Sequence, residues 1–219
     1  MPTVSAKVFR TLARELGPQH WWPAESPFEV MVGAMLVQNT AWKNVERALD
    51  NLRAADLLAP FRLAEVAEEE LAELIRPAGY YRVKAKRLRH LLAFIVERFA
   101  GSIDAMRAVP VSVMRRELLA IHGVGPETAD SILNYALGQP ALVVDAYTLR
   151  IWTRHGWIHP RADYHGLQAE VARGLPADAQ TYNELHALIV SVGHHWCKRT
   201  PKCESCPLRE LLPASGPIC

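Results

Sequence analysis

The stretch that decides the fold is Leu118–Asp145, LLAIHGVGPETADSILNYALGQPALVVD. Leu118, Leu119 and Ile121 complete the apolar face of a helix that ends here. The two glycines of 122–125 cannot continue that helix, because glycine tolerates positive φ and leaves the backbone open to a ligand. Pro126 suits the first position of a new helix, and Gly138 is typical of a helix end. The sequence therefore predicts two short helices joined by a hairpin.

The amides that begin the second helix form a candidate phosphate site. Unpaired N–H groups and the helix dipole both favour an anion at a helix N-terminus. The backbone involved would be that of Gly123, Val124 and Gly125. A Gly-x-Gly pair also occurs in ordinary helical turns, so the surrounding sequence has to decide between these two interpretations.

The surrounding pattern is apolar-x-Gly-Val-Gly-x-x-Thr-Ala, followed 20 residues after Gly125 by Val-Val-Asp145. It resembles the helix-hairpin-helix (HhH-GPD) DNA glycosylases of the endonuclease III superfamily, and the likeness extends from Trp21 to Cys206. The resemblance implies two helical lobes with the active cleft between them. A six-helix bundle containing the hairpin would span 24–137, and 1–23 with 138–219 would form the second lobe and carry a metal cluster. It also implies that the hairpin amides hold a DNA phosphate.

Apolar spacing along the chain predicts an all-α fold independently of this resemblance. No segment shows sustained period-two alternation, apart from the brief run 141–144. The expected helices span 5–16, 28–37, 41–52 with Thr40 as N-cap, 68–75, 84–100, 111–121, 126–137, 145–155, 164–173 and 181–196.

Composition sets the class of protein. The chain has 219 residues, a net charge of +2 and no window of 18 uninterrupted apolar residues. These features predict a soluble protein without a membrane partner. We also expect a cytoplasmic monomer, associated with the nucleoid in a prokaryote. The slight basicity is compatible with double-stranded DNA as partner but does not require it.

The resemblance makes Asp145 the predicted catalytic residue. It precedes a helix, so it can also act as an N-cap. When an N-glycosidic bond breaks, the sugar develops positive charge, which a fixed carboxylate stabilises while it orients water. Tyr147 stands where the family more commonly has histidine.

Glu127 stands where bifunctional family members carry the lysine that attacks the sugar. A carboxylate in the first turn of a helix is also favourable for the helix itself. Glutamate cannot form the Schiff base that permits strand cleavage. The sequence therefore predicts a monofunctional glycosylase, with AP lyase activity weak or absent.

Three tryptophans predict a base pocket. Trp21, Trp22 and Trp42, in WWPAESPFEVMVGAMLVQNTAW, look like the 3-methyladenine glycosylase branch of the superfamily, in which aromatic rings hold a flipped base. Glu127 is counted with this pocket. Tryptophans more often belong to a core, but an alkylated, cationic purine would stack well on an indole and leave without a general acid.

Other residues are predicted to act on the duplex. By resemblance, Gln38 fills the gap left by the extruded nucleotide, and Tyr80 or Tyr81 wedges the opposite strand. Lys84 begins a basic run that would follow the phosphates. The resemblance further implies a monovalent cation at the hairpin, held by three backbone carbonyls, those of Leu119, Ile121 and Val124.

All four cysteines lie near the C-terminus, at Cys197, Cys203, Cys206 and Cys219. Such clustering indicates metal ligands rather than disulfides. The pattern is close to the family's iron–sulfur motif, except that Leu212 occupies the usual place of the fourth cysteine. We expect a [4Fe–4S] cluster that includes Cys219, with structural zinc as the alternative and an empty site as the third possibility.

The resulting hypothesis is a base-excision repair glycosylase that removes alkylated purines from damaged double-stranded DNA. One alternative is an endonuclease III-like glycosylase for oxidised pyrimidines. Another is a DNA-damage-binding protein without catalytic activity.

Overall fold

A computed structural model describes residues 2–19, 21–22 and 24–218. All regular secondary structure in these residues is helical, and no strand occurs among them, which confirms the all-α prediction. None of their helices is both long enough and apolar enough to cross a membrane.

The chain divides into two compact units. One spans Trp22–Gln139, and the other combines Met1–Trp21 with Pro140–Cys219. The first unit contains α2 (Pro27–Leu36), α3 (Trp42–Ala54), α4 (Pro60–Glu65), α5 (Glu68–Leu74), α6 (Tyr81–Phe99), α7 (Ile103–Arg107), α8 (Val111–Ala120) and α9 (Pro126–Ser131), with a 3₁₀ turn at Arg76–Ala78 and a π-helix at Ile132–Ala136. The second contains α1 (Val4–Leu16), α10 (Ala146–Arg154), α11 (Tyr164–Ala172) and α12 (Ala179–His195), with 3₁₀ turns at Cys203–Ser205 and Arg209–Leu211.

Helix α2 is the buried centre of the first unit. Ser26 caps it by accepting a bond from the Glu29 amide, and Pro27 occupies its first position. Every residue from Phe28 to Leu36 is buried, so the helix is apolar on all sides. The exception is the Glu29 carboxylate, which accepts a bond of 2.7 Å from Arg53.

The core of the second unit is built around Trp152, whose side chain is fully buried. Val8 and Leu12 of α1 and Leu188 and Val192 of α12 belong to the same cluster. This core holds together segments from the two ends of the chain, and it fixes α10 in place.

Several sequence predictions need correction. Thr40 does not cap α3, because the N-cap is Ala41 and no side chain accepts a bond from the first-turn amides. Helices α4 and α7 were not expected, and α6 begins at Tyr81 rather than 84. The second hairpin helix changes from α to π after Ser131. The apolar run 141–144 is buried but forms no strand.

Candidate active site

The predicted hairpin lies between α8 and α9. Gly123 adopts φ 94°, and a Cβ there would lie 2.3 Å from the Arg87 side chain, so both conformation and space require glycine. The Val124 side chain is buried, and its N–H donates to the Ile121 carbonyl at 3.0 Å. Gly125 is the exposed N-cap of α9, and no side chain caps the helix. The first-turn amides therefore suit an anion.

Of the three carbonyls predicted to hold a monovalent cation, that of Ile121 already accepts this hairpin bond. A carbonyl oxygen has a second lone pair, so the bond is compatible with a cation. The cation site stays a prediction for Leu119, Ile121 and Val124.

Gln38 braces the hairpin. Its Nε2 donates to the Gly123 carbonyl at 3.1 Å and to Oγ1 of Thr128 at 3.0 Å, and its Oε1 accepts from Arg87 at 2.9 Å. Filling a gap in DNA, as the sequence predicts, would require Gln38 to give up these three bonds.

The two candidate wedge tyrosines differ in exposure. Tyr80 is 75% exposed and adopts the left-handed conformation, with φ 47°. Tyr81 is half-buried between Arg76 and Arg82, whose guanidinium carbons lie 5.8 and 5.5 Å from its ring centroid. Of the two, Tyr80 presents the more accessible ring.

Lys84 is wrongly predicted as a phosphate contact. The residue is 3% exposed, and its Nζ donates to the carbonyls of Leu36 at 2.8 Å and Ala78 at 2.7 Å. Burial and the charge of Arg87 lower the pKa of Lys84 to about 8. Its role is to tie the end of α2 to the turn before Tyr80, and burial also keeps its amine from attacking a sugar.

This environment predicts a pH-dependent stability. The unfolded chain keeps the Lys84 proton up to about pH 10.5, whereas the folded chain releases it near pH 8. Raising the pH between these values therefore favours the folded state, by about 3 kcal/mol at about 1.4 kcal/mol per pH unit. Urea unfolding from pH 7.5 to 10.5 should show this gain in the wild type relative to Lys84→Met.

The exposed Lys86 supplies the control, because Lys86→Met should retain the wild-type pH dependence. Parallel curves for the wild type and Lys84→Met would contradict the assigned burial of the amine.

An aromatic cluster forms around Gly33 in the first unit. The Trp22 and Trp42 rings meet edge to face with centroids 4.9 Å apart, and Tyr135 lies 5.2 Å from Trp22. A Cβ on Gly33 would contact both indoles, at 3.5 and 3.6 Å. Trp42 Nε1 donates to Glu46 at 3.0 Å, which fixes its ring. Sequence reasoning missed Tyr135, which lies in the π-helix.

The other two residues predicted for this pocket have different locations. Trp21 belongs to the other unit, and Glu127 is exposed in the first turn of α9.

Asp145 is the N-cap of α10, in a capping box with Thr148. Its Oδ1 accepts from the Thr148 amide at 2.7 Å and hydroxyl at 2.8 Å, and Oδ2 lies 3.8 Å from Nε2 of His186. Burial by itself would raise the pKa of Asp145, but His186 and the Thr148 bonds outweigh burial and lower it. A carboxylate that is only 12% exposed is therefore kept ionised at neutral pH.

His186, which sequence reasoning missed, reaches Asp145 because α12 packs closely on α10. Gly193 lies two helical turns after His186 on α12, and a Cβ there would be 2.3 Å from the Tyr147 ring. Arg150 lies over the same ring at 5.0 Å and donates to the Gly193 carbonyl at 3.4 Å. Tyr147 thus acts as a packing residue between the two helices.

Cys197, Cys203 and Cys206 line one cavity, together with Leu212. Cys219 lies outside the described residues. Burial raises the pKa of the Cys206 thiol; the Leu208 amide opposes this, whereas Cys197 and Cys203 add to the rise. Mutual repulsion of this kind is relieved when a bound cation neutralises the thiolates.

The chemistry of the three described cysteines allows either an iron–sulfur cluster or a single zinc ion. Among the described residues, no three His, Cys, Asp or Glu side chains are arranged to hold one metal ion. Zinc requires its sulfurs about 2.3 Å from one centre, whereas an iron–sulfur cluster distributes its cysteines over several irons and so accepts a wider spacing. Cys197, Cys203 and Cys206 share one cavity, which is compatible with this wider spacing.

Comparison with known proteins places these features in a family context. Residues 32–177 match the profile described as HhH-GPD superfamily base excision DNA repair protein. A provisionally named DNA repair glycosylase of Methanocaldococcus jannaschii is 46% identical over 206 residues, which cover 94% of each chain. Endonuclease III of Thermotoga maritima is 34% identical over 184 residues, covering 84% of this chain and 81% of that protein.

Solved structures show the same likeness. The 3-methyladenine DNA glycosylase of H. pylori, bound to 1,N6-ethenoadenine, matches with a TM-score of 0.73 and 31% identity, covering 86% of this chain and 94% of that one. Endonuclease III trapped as a covalent intermediate with DNA matches with a TM-score of 0.80 and 25% identity, covering 94% and 92%.

Proposed function

Because this chain belongs to the HhH-GPD superfamily and is a base-excision repair DNA glycosylase, we propose that it removes alkylated purines with water as the nucleophile. The family resemblance expected from the hairpin is thereby confirmed. The observation that carries the finer proposal is the buried, ionised carboxylate of Asp145, combined with a glutamate at the position of the family's lysine.

In the proposed reaction, the bond from the sugar carbon to the base nitrogen breaks and its electron pair leaves with the base. The developing positive charge on the sugar is stabilised by the Asp145 carboxylate. Water adds its oxygen to the same carbon, and its proton passes to Asp145. An alkylated purine, already cationic, leaves as a neutral base and needs no general acid.

Glu127 supports the absence of lyase activity. It is exposed in the first turn of α9 and has no amine that could form an imine. Strand cleavage through a Schiff base therefore has no nucleophile at this position.

The Trp22, Trp42 and Tyr135 cluster supports a purine substrate. Electron-rich rings attract the positive charge of a cationic base and also stack on its flat surface. Gly33 has no side chain that could press against the two indoles, which a Cβ there would contact. The solved glycosylase complex with 1,N6-ethenoadenine concerns a modified purine in a related protein, which points in the same direction.

For the DNA, we propose that the hairpin amides from Gly123 to Gly125 hold a phosphate and that Tyr80 enters the stack. The exposure of Tyr80 and the uncapped start of α9 support these roles.

We further propose a structural [4Fe–4S] cluster held by Cys197, Cys203, Cys206 and Cys219. The Ile218 amide donates to the Arg154 carbonyl at 2.9 Å, and Pro217 lines the cavity of the three described cysteines, so the chain reaches this cavity just before Cys219. When bound, the cluster would supply structural stability to this segment.

Duplexes that carry either an N-methylated purine or an oxidised pyrimidine test the proposed function. We expect release of the methylated purine and strand breaks only after alkali, with no product trapped by borohydride. Preference for the pyrimidine would favour the endonuclease III-like alternative. Breaks without alkali, accompanied by borohydride trapping, would refute water as the nucleophile, and tight binding without release would indicate a damage-binding protein.

A further inference from the structure

Arg154, the last residue of α10, contacts both ends of the segment 197–218, which contains the three described cysteines. Its Nη1 donates to Sγ of Cys197 at 3.3 Å and to the Lys198 carbonyl at 2.6 Å. Its Nη2 donates to the Arg199 carbonyl at 2.9 Å. Its own carbonyl accepts the Ile218 amide at 2.9 Å. One residue therefore holds the first cysteine and the residue that precedes the last one.

The neighbouring contacts support a closed arrangement of this segment. Arg154 lines the same cavity as the three described cysteines, together with Leu212 and Pro217. Gly156, two residues further on, adopts φ 73°, and a Cβ there would lie 3.0 Å from the Ile218 side chain. The turn that follows α10 is thus shaped to receive the C-terminal tail.

The guanidinium suits this task for chemical reasons. It presents five N–H donors in a rigid plane, so it can hold a sulfur and two carbonyls at once. A positive donor also stabilises negative charge on a thiolate, and hydrogen bonds to sulfur are among the factors that set a cluster's reduction potential.

From this geometry we infer that Arg154 is a positioning residue for the iron–sulfur cluster: it fixes the Cys197 loop and the C-terminal tail in the arrangement that four-cysteine ligation requires. The inference rests on the proposed cluster. Groups that orient the ligands of a metal site commonly contribute about 10- to 100-fold to metal retention.

The test uses the full chain purified without oxygen, as wild type, Arg154→Met and Arg154→Lys. Iron per chain, visible absorbance, the rate of iron loss to a chelator and the reduction potential are measured. Arg154→Met should lose iron about 10-fold faster or more and should show a lower reduction potential, because the sulfur has lost a charged donor. Arg154→Lys keeps the positive charge but has a single donor nitrogen. Its rate of iron loss and its reduction potential should therefore lie between those of the wild type and Arg154→Met.

Arg209→Gln is the matched control. Arg209 donates to the Glu204 carbonyl at 3.3 Å in the same segment, so its loss should leave iron retention and potential near the wild-type values. Wild-type iron retention and potential in both Arg154 variants would overturn the inference alone. If Arg154→Met does not fold, the lysine variant still decides. Wild-type protein with zinc or no metal would refute the proposed cluster itself.

Discussion

Asp145→Asn should slow base release about 10²- to 10³-fold while leaving folding and DNA affinity unchanged. Asparagine keeps the oxygen that accepts both Thr148 bonds, and it caps helices as well as aspartate does. The substitution removes the negative charge of the Asp145 carboxylate, which His186 and Thr148 keep ionised. Single-turnover rates on a lesion duplex, together with fluorescence anisotropy for binding, would separate the lost chemistry from binding.

Asp178→Asn is a matched control for this prediction. Asp178 caps α12 and accepts bonds from the Thr181 amide at 2.7 Å and hydroxyl at 2.8 Å, nearly the same lengths as in the Asp145 box. It should leave base release at the wild-type rate. Equal losses in the two variants would mean that capping, rather than charge at Asp145, explains the effect. Unchanged release in Asp145→Asn would remove the carboxylate from the mechanism.

The parts of the site that depend on local chemistry could be predicted from sequence. The hairpin follows from two glycines and Pro126, whose backbone preferences act within a few residues. Asp145 could be recognised as a helix start for the same reason, and its capping box is present. The clustering of the cysteines likewise indicated one site, and three of them line one cavity.

The parts that depend on packing could not be predicted in the same way. His186 reaches Asp145 across 41 residues of sequence, through the contact of α10 with α12. Tyr135 projects from a π-helix, whose register a 3.6-residue period does not anticipate. The positive charge of Lys84 predicted a phosphate contact, but its spacing indicates burial. Lys84 precedes Leu88 and Leu91 by four and seven residues, on the buried face of α6.

Arg115→Met should lower the free energy of unfolding by about 3–5 kcal/mol. Arg115 joins α8 to α9 through two bonds to Asp130, at 2.7 and 3.1 Å, and the Asp130 side chain has no exposed surface. Removing the guanidinium deprives a fully buried carboxylate of two charge-assisted bonds, which costs more than the pair itself contributes. Urea unfolding measures this loss of stability. Because α8 and α9 flank the hairpin, the variant should also bind undamaged duplex DNA more weakly than the wild type.

Arg98→Met is the control. Arg98, on α6, pairs with Glu117, on α8, at 3.7 Å, and the Arg98 side chain is 57% exposed. Its loss should cost less than about 1 kcal/mol. The double variant Arg115→Met with Asp130→Leu should recover most of the stability, because replacing both members of the pair with apolar groups also removes the buried charge. If Arg115→Met were no more destabilising than Arg98→Met, the Asp130 charge would have to be stabilised by its other neighbours, and the hairpin would not depend on this pair.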